Sequence, residues 1–325
     1  MLPARSTTHA VKVALAFAAV YLLWGSTYLG MKVAIQSFPP LLVGGMRFSA
    51  AGLTLLLAQA LLGKVEPAWL RSPRYWRSAL LCGGLMLLVA NGLLAASLHR
   101  VGTGTAALGV ALTPVWLVLF DRWQTGRSHL APKVLAGLVL GVLGVTLLSG
   151  AVTDPGRALG GEAIGMAMVV VSTLGWASGS ILGRRVPQPR RTLVGTSMQM
   201  IAGGALMMGA SFAFESWTLE TLRQASLRGW LAVAYLAVAG SLLGFTAYVW
   251  LLKNAPAARV ATYAYVNPLV ALALGWWWLG EVPSRETWIA APLILGGVVL
   301  LQSGSRTPPP PSVTPRSTSP EDDGR

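Results

Sequence analysis

Ten apolar runs divide the chain, at about residues 12–35, 39–62, 78–98, 102–121, 134–150, 161–183, 193–214, 229–252, 258–279 and 287–303. Each is 17 or more residues long, which suits a membrane-spanning helix and is too long for a strand. The short alternating segments that mark barrel strands are missing from the pattern. Charged types make up only 11% of the 325 residues and hydrophobic types 54%, against about 25% charged in an ordinary soluble domain. That composition cannot cover a water-soluble globule. The predicted fold class is therefore an all-α membrane protein of ten transmembrane helices, with the lipid bilayer as its surroundings and short connections that make successive helices antiparallel.

The net charge is +14, which in a soluble chain would suggest nucleic acid. The distribution of the charge says otherwise. With the N-terminus in the cytoplasm, inside segments hold 18 Lys and Arg and outside segments five, leaving Lys32 and Arg47 within spans. This bias places both termini in the cytoplasm and disposes of a nucleic-acid partner. A basic start (Arg5, Lys12) before Ala16-Phe17-Ala18 resembles a cleavable signal, but the apolar stretch runs on through Trp24 to Ile35, so an uncleaved first helix is expected. The single cysteine, Cys82, and three scattered histidines (His9, His99, His129) offer neither a disulfide nor a metal centre. Residues 305–325, with six prolines and an acidic end, are expected to be a disordered cytoplasmic tail.

The chain also matches itself. At an offset of 152, Leu22-Leu23-Trp24-Gly25-Ser26 falls on Leu174-Gly175-Trp176-Ala177-Ser178, and Met46-Arg47 on Met198-Gln199. At 154, Trp76 falls on Trp230, Thr113-Pro114 on Asn267-Pro268, and Ser149-Gly150 on Ser303-Gly304. A two-residue insertion between Glu215 and Arg228 reconciles the offsets. The expected domains are thus a first repeat at 12–150 and a second at 161–304. Each holds five helices, an odd number, so the repeats have opposite topology.

Tyr21-Leu22-Leu23-Trp24-Gly25-Ser26-Thr27-Tyr28, Pro39-Pro40 and Met46-Arg47-Phe48, with Asn267-Pro268, Gly280-Glu281 and Gly296-Gly297-Val298 in the second half, resemble the EamA-type members of the drug/metabolite transporter superfamily. The resemblance covers about residues 12–304. It implies a ten-helix exporter of two inverted five-helix repeats around a central cavity, in the bacterial inner membrane. Amino acids, other metabolites and toxic compounds are all substrates of that family. One departure is visible: the turn after the ninth helix carries Gly280-Glu281, whereas the first half has Gly126-Arg127.

Polar groups within spans are costly unless paired or wetted, which makes them the candidate substrate-binding set. Arg47 lies seven residues past Pro40, about 10 Å into its helix at about 1.5 Å per residue. It either lines the cavity or bonds helix carbonyls as a brace, and Gln199 is its mate. Trp24, Ser26 and Tyr28 form a mid-helix motif, mirrored by Trp176 and Ser178; the other reading is close helix packing by small residues. Arg259, Tyr263 and Asn267 recur every four residues and share one face, with Thr105, Gly109 and Thr113 as a milder counterpart. Pro114 and Pro268 follow these stripes and free a carbonyl one turn earlier. Asn91 is a weaker candidate of the same kind.

Three functional classes follow. A secondary transporter that exports small metabolites by alternating access is favoured by the inverted repeat. With no acidic residue inside a span, the charge that balances Arg47 could come from an amino acid or another carboxylate-bearing substrate. A membrane-embedded enzyme acting on lipid-linked substrates would need clustered carboxylates, a metal site or an activated nucleophile, which the loops lack. A channel would need a selectivity ring. No catalytic residue, cofactor or metal is implied, and no phosphate-binding G-x-x-x-x-G-K-[ST] motif occurs. A coupling ion, with Glu281 and Asp121 at helix ends as its candidate carriers, and a homodimer both stay open.

Overall fold

The structure is a computed structural model that describes residues 7–125, 131–149, 160–255, 257–260 and 262–304. The Gly126-Arg127 turn and the tail from Ser305 lie outside the described residues, as does the side chain of Asp121.

Helices lie over each of the ten apolar runs, and no strand occurs among the described residues. In chain order they are α1 (Thr7–Ala34), α2 (Pro40–Leu61), α3 (Pro73–Gly83, Gly84–Asn91 and Gly92–Ser97) and α4 (Thr103–Val110 and Thr113–Thr125). Then come α5 (Pro132–Leu148), α6 (Gly161–Gly183), α7 (Thr192–Phe214), α8 (Leu227–Tyr235, Leu236–Leu243 and Gly244–Asn254), α9 (Tyr263–Leu279) and α10 (Arg285–Gly304). Seven of these, α1 to α4 and α6 to α8, are long and apolar enough to cross a membrane. Of the others, α5 is a shorter apolar helix of 17 residues, and α9 and α10 have 17 and 20. Proline opens α2, α3 and α5, where its missing N–H leaves no helical bond unmade.

Two spans are not the continuous helices that their apolar runs predict. A turn at Ala111-Leu112 divides α4 just before Thr113-Pro114. The carbonyl of Val110, four residues before Pro114, accepts a bond from the Thr113 hydroxyl instead (2.7 Å). Before α9, the short helix Ala257–Val260 stands apart, and Arg259 on it is exposed. Arg259 therefore does not continue the Tyr263–Asn267 stripe.

Most of the main helix contacts recur when each helix is exchanged for the one five places along. The mates α2 and α7 pack together, as do α5 and α10, and α4 and α9. Helix α1 packs on α8 and α9, and its mate α6 packs on α3 and α4. Helix α3 packs on α7, and α8 on α2. The halves are thus interleaved around a pseudo-two-fold axis. Their odd helix number makes the repeats inverted, the arrangement that puts an enclosed space near the axis.

Candidate functional site

A cavity with about 1270 Å³ of empty space, its open mouth included, lies between the two halves. Residues from α1, α2, α3 and α4 line it, as do residues from α6, α7, α8 and α9. Helix α1 contributes Trp24, Thr27, Tyr28 and Met31, a three-four spacing that keeps one face inward. Nine of the candidate residues meet here: Trp24, Tyr28, Arg47, Asn91, Thr113, Trp176, Gln199, Tyr263 and Asn267.

Ser26 and Ser178 are not part of the lining. Residues two apart on a helix point about 200° apart, so neither serine can share the inward face of the tryptophan before it. Ser26 instead bonds the carbonyls of Leu22 (2.5 Å) and Leu23 (3.1 Å), and its hydroxyl lies 2.5 Å from that of Tyr235 on α8. Ser178 is half-buried outside the cavity. Thr105 and Gly109 also point elsewhere; a Cβ on Gly109 would come within 2.6 Å of Val169, so that position serves packing between α4 and α6.

Several lining residues carried no signal of their own in the sequence, among them Thr173, Thr196, Ser241 and Phe245. Thr27 and Met31, by contrast, follow directly from placing Trp24 on the inward face.

The aromatic wall is held in place by neighbours. The Trp24 indole donates to the Gly240 carbonyl (3.1 Å) and meets Tyr263 edge-on at 5.2 Å and Tyr248 at 5.0 Å. Trp116 donates to the Thr173 hydroxyl (2.8 Å). Asn267 is buried; with its amide nitrogen turned to the two nearest carbonyls, it donates to Tyr21 on α1 and to Tyr263 one turn back, each at 3.3 Å. It therefore ties α9 to α1 as well as lining the cavity.

Two segments of wider, π-type turn border the cavity, Gly84–Asn91 in α3 and Leu236–Leu243 in α8. Such turns recur at functional sites. Here a side chain adds a bond across each. Asn91 donates to the Met86 carbonyl (2.8 Å) and Ser241 to the Leu236 carbonyl (3.1 Å), both five residues back.

Arg47 is the only charged side chain among the lining residues. It is 7% exposed, its Nε has no hydrogen-bond partner, and its Cζ lies 4.1 Å from the centre of the Phe48 ring.

The two ends of the cavity differ. One face carries the connections at 35–39, 98–102, 215–226 and 280–284, and there two carboxylates of the second half grip helix N-termini of the first. Glu281 Oε2 accepts from the Thr103 N–H (2.8 Å) and the Thr103 hydroxyl (2.7 Å) at the start of α4. Gly280, at φ 67°, turns the chain so that the Glu281 N–H closes on the Gly275 carbonyl (3.0 Å). Glu215 accepts from Leu41 N–H (2.7 Å) and Leu42 N–H (3.1 Å) at the start of α2, and from the Ser211 hydroxyl (2.6 Å). Negative charge at a helix N-terminus is stabilising. Burial, with Lys32 and Arg100 nearby, holds His99 below its usual value, against the pull of Glu215. On the opposite, basic face the mates of these N-termini open α7 and α9. Neither N-cap residue there makes a side-chain cap.

A helical membrane protein of two interleaved inverted repeats, with a cavity at their interface, is the class these features define. The chain belongs to the EamA-like transporter family, whose pattern matches residues 11–150 and again 163–303. It is 35% identical to the uncharacterized inner membrane transporter YedA of Escherichia coli K12, over 91% of this chain and 93% of that one. It is 27% identical to the protein PecM of Dickeya dadantii, over 86% and 89% of the two chains. With a probable amino-acid metabolite efflux pump of Salmonella typhimurium it shares 26% identity over 88% and 93%. A crystal structure at 23% identity superposes with a TM-score of 0.61, covering 89% of this chain and 96% of that one, and shares the fold.

Proposed function

We propose that this membrane transporter exports small metabolites by alternating access, without chemical change to the substrate. The observation that carries the reading is the central cavity walled by both inverted repeats, since rocking one repeat against the other would open it to either side in turn. The name of the Salmonella relative, an efflux pump, supports the outward direction. Amino acids, other carboxylate-bearing metabolites and toxic compounds are the candidate cargo. The bias of 18 basic residues to five supports a cytoplasmic basic face and two cytoplasmic termini. The clasped face is then external, and the structure corresponds to a state shut to the outside.

Purified protein in proteoliposomes should give saturable flux of such a metabolite. A reporter fused after Arg185 should read cytoplasmic and one at Thr153 external. Flux that never saturates would point to a channel, and a chemically altered substrate to an enzyme; either outcome overturns the reading.

A further inference from the structure

We infer that the cargo is a monoanion: a carboxylate that seats on Arg47, joined to an uncharged and largely apolar body. The inference rests on the transport reading and names the class of molecule that the cavity accepts. It begins with an unbalanced charge. Arg47 is 7% exposed, yet among the described residues its guanidinium makes neither a hydrogen bond nor an ion pair. Its one contact of note is the face of Phe48, within an apolar group that includes Leu87 and Met200. A buried cation without a partner is costly, and a protein ordinarily avoids it.

A bracing arginine would spend its donors on helix carbonyls. Arg47 spends none. Its planar fork of donors therefore faces the cavity unused, which is the geometry that a carboxylate fits in bidentate fashion.

No described acidic side chain supplies the counter-charge. Described acidic residues (Glu66, Glu162, Glu215, Glu220, Glu281 and Glu286) all sit at helix ends or in connections, and none lines the cavity. The described lining thus carries one positive charge in a medium of low dielectric. A monoanion brings the total to zero. A zwitterion leaves it at one, with an ammonium buried and no carboxylate to receive it; a cation raises it to two. Charge balance therefore ranks the monoanion first, the zwitterion second and the cation last. The rest of the lining supplies the body of the site, with Trp24, Trp176 and Phe245 among apolar side chains, and neutral donors such as Gln199 and Thr196.

The test uses the full chain in lipid nanodiscs and a panel of straight-chain and aromatic monocarboxylates, phenylacetate among them. Each acid is compared with its amide and its amine, and phenylacetate also with phenylalanine. Calorimetric affinity and thermal stabilisation are read. At least one acid should bind about tenfold or more tighter than its amide, with the amine weaker still and phenylalanine weaker than phenylacetate. Arg47→Lys should weaken the acid several-fold, and Arg47→Met should erase the preference for acid over amide. Without ligand, Arg47→Met should melt at or above the wild-type temperature, because it removes a buried charge that has no partner. A brace predicts the reverse, a lower melting temperature with the acid preference kept in the folded fraction.

That brace outcome overturns the inference, as does an amide or amine that matches its acid, or a panel in which no acid binds. The transport reading fails separately. Acid-selective binding without flux in proteoliposomes would sink transport and leave the anion site standing. Saturable flux of a cation with no acid preference would do the opposite.

Discussion

Two residues apart on one helix, Trp24 and Ser26 show what a residue's position decides. Trp24 lines the cavity and is fixed by the Gly240 carbonyl and two tyrosine rings, whereas Ser26 returns its hydroxyl to its own helix. Trp24→Ala should weaken substrate affinity by about tenfold or more and lower the melting temperature, as aromatic core truncations generally do. Ser26→Ala should change stability by no more than about 0.5 kcal/mol and leave the apparent KM of flux unchanged. A rise in KM for Ser26→Ala matching that of Trp24→Ala would refute this division of the motif. The contrast also marks how far the site was legible in the sequence. The depth of Arg47 and the lack of acids well inside the spans are properties of the chain itself, and Arg47 lines the cavity with no hydrogen bond or ion pair among the described residues. The motif of Trp24, Ser26 and Tyr28 is compact in sequence, but a helix turns about 100° per residue and splits it between faces. Fixing Trp24 inward and stepping by three and four selects Thr27, Tyr28 and Met31 and rejects Ser26. Phe245 and Thr196 could not be found this way, because nothing in a uniformly apolar run says which side faces its neighbours.

At the scale of the element, the apolar runs mark α1 to α10 but not the short helices Pro67–Arg71 and Leu219–Gln224. Hydropathy is blind to a change of backbone pitch, so the wide turns at Gly84–Asn91 and Leu236–Leu243 left no mark, whereas Pro114 marks the break at Ala111-Leu112 by freeing the Val110 carbonyl. What accompanies each is a polar side chain that bonds a carbonyl of the preceding turn: Asn91 to Met86, Ser241 to Leu236, and Thr113, beside Pro114, to Val110. The two wide turns occupy like places in α3 and α8, and the inverted repeat thus extends to the irregularities of its helices. If the side chains hold the wide turns open, Asn91→Leu and Ser241→Ala should each cost about 1 kcal/mol, the worth of one hydrogen bond. Each should also speed hydrogen exchange in its own segment only. The double variant should lose transport while remaining folded, since the cavity-lining residues on both segments would turn away as the pitch tightens. Faster exchange spread evenly over all helices would contradict a local role.

Across the whole molecule, most of the main helix packing respects the exchange of halves but the polar contacts do not. Both cross-repeat carboxylates, Glu215 and Glu281, belong to the second half and grip the first on one face. On the alternating-access reading, these charge-assisted bonds, of about 1.5–3 kcal/mol each, would bias the molecule toward a state shut on that face. Opening there means parting Glu281 from Thr103, which is fully buried. Glu281→Ala removes the clasp directly. Gly275→Ala breaks it by another route: its Cβ would come within 2.3 Å of the Thr103 hydroxyl and 2.6 Å of Glu281 Oε2, wedging the two apart with the charge intact. A cysteine at Met31, a lining position close to the clasped end of α1, can report the result in a Cys82→Ser background. A membrane-impermeant thiol reagent applied from the clasped face should label Met31→Cys about tenfold faster or more in either variant, a shift equal to the loss of one such bond. Applied from the basic face, it should label more slowly than in the parent, because the two openings exclude one another. Faster labelling from both faces at once would mean that the variants loosen the fold rather than shift its balance. Unchanged labelling in both variants would show that the apolar packing of this face keeps it shut without the carboxylates.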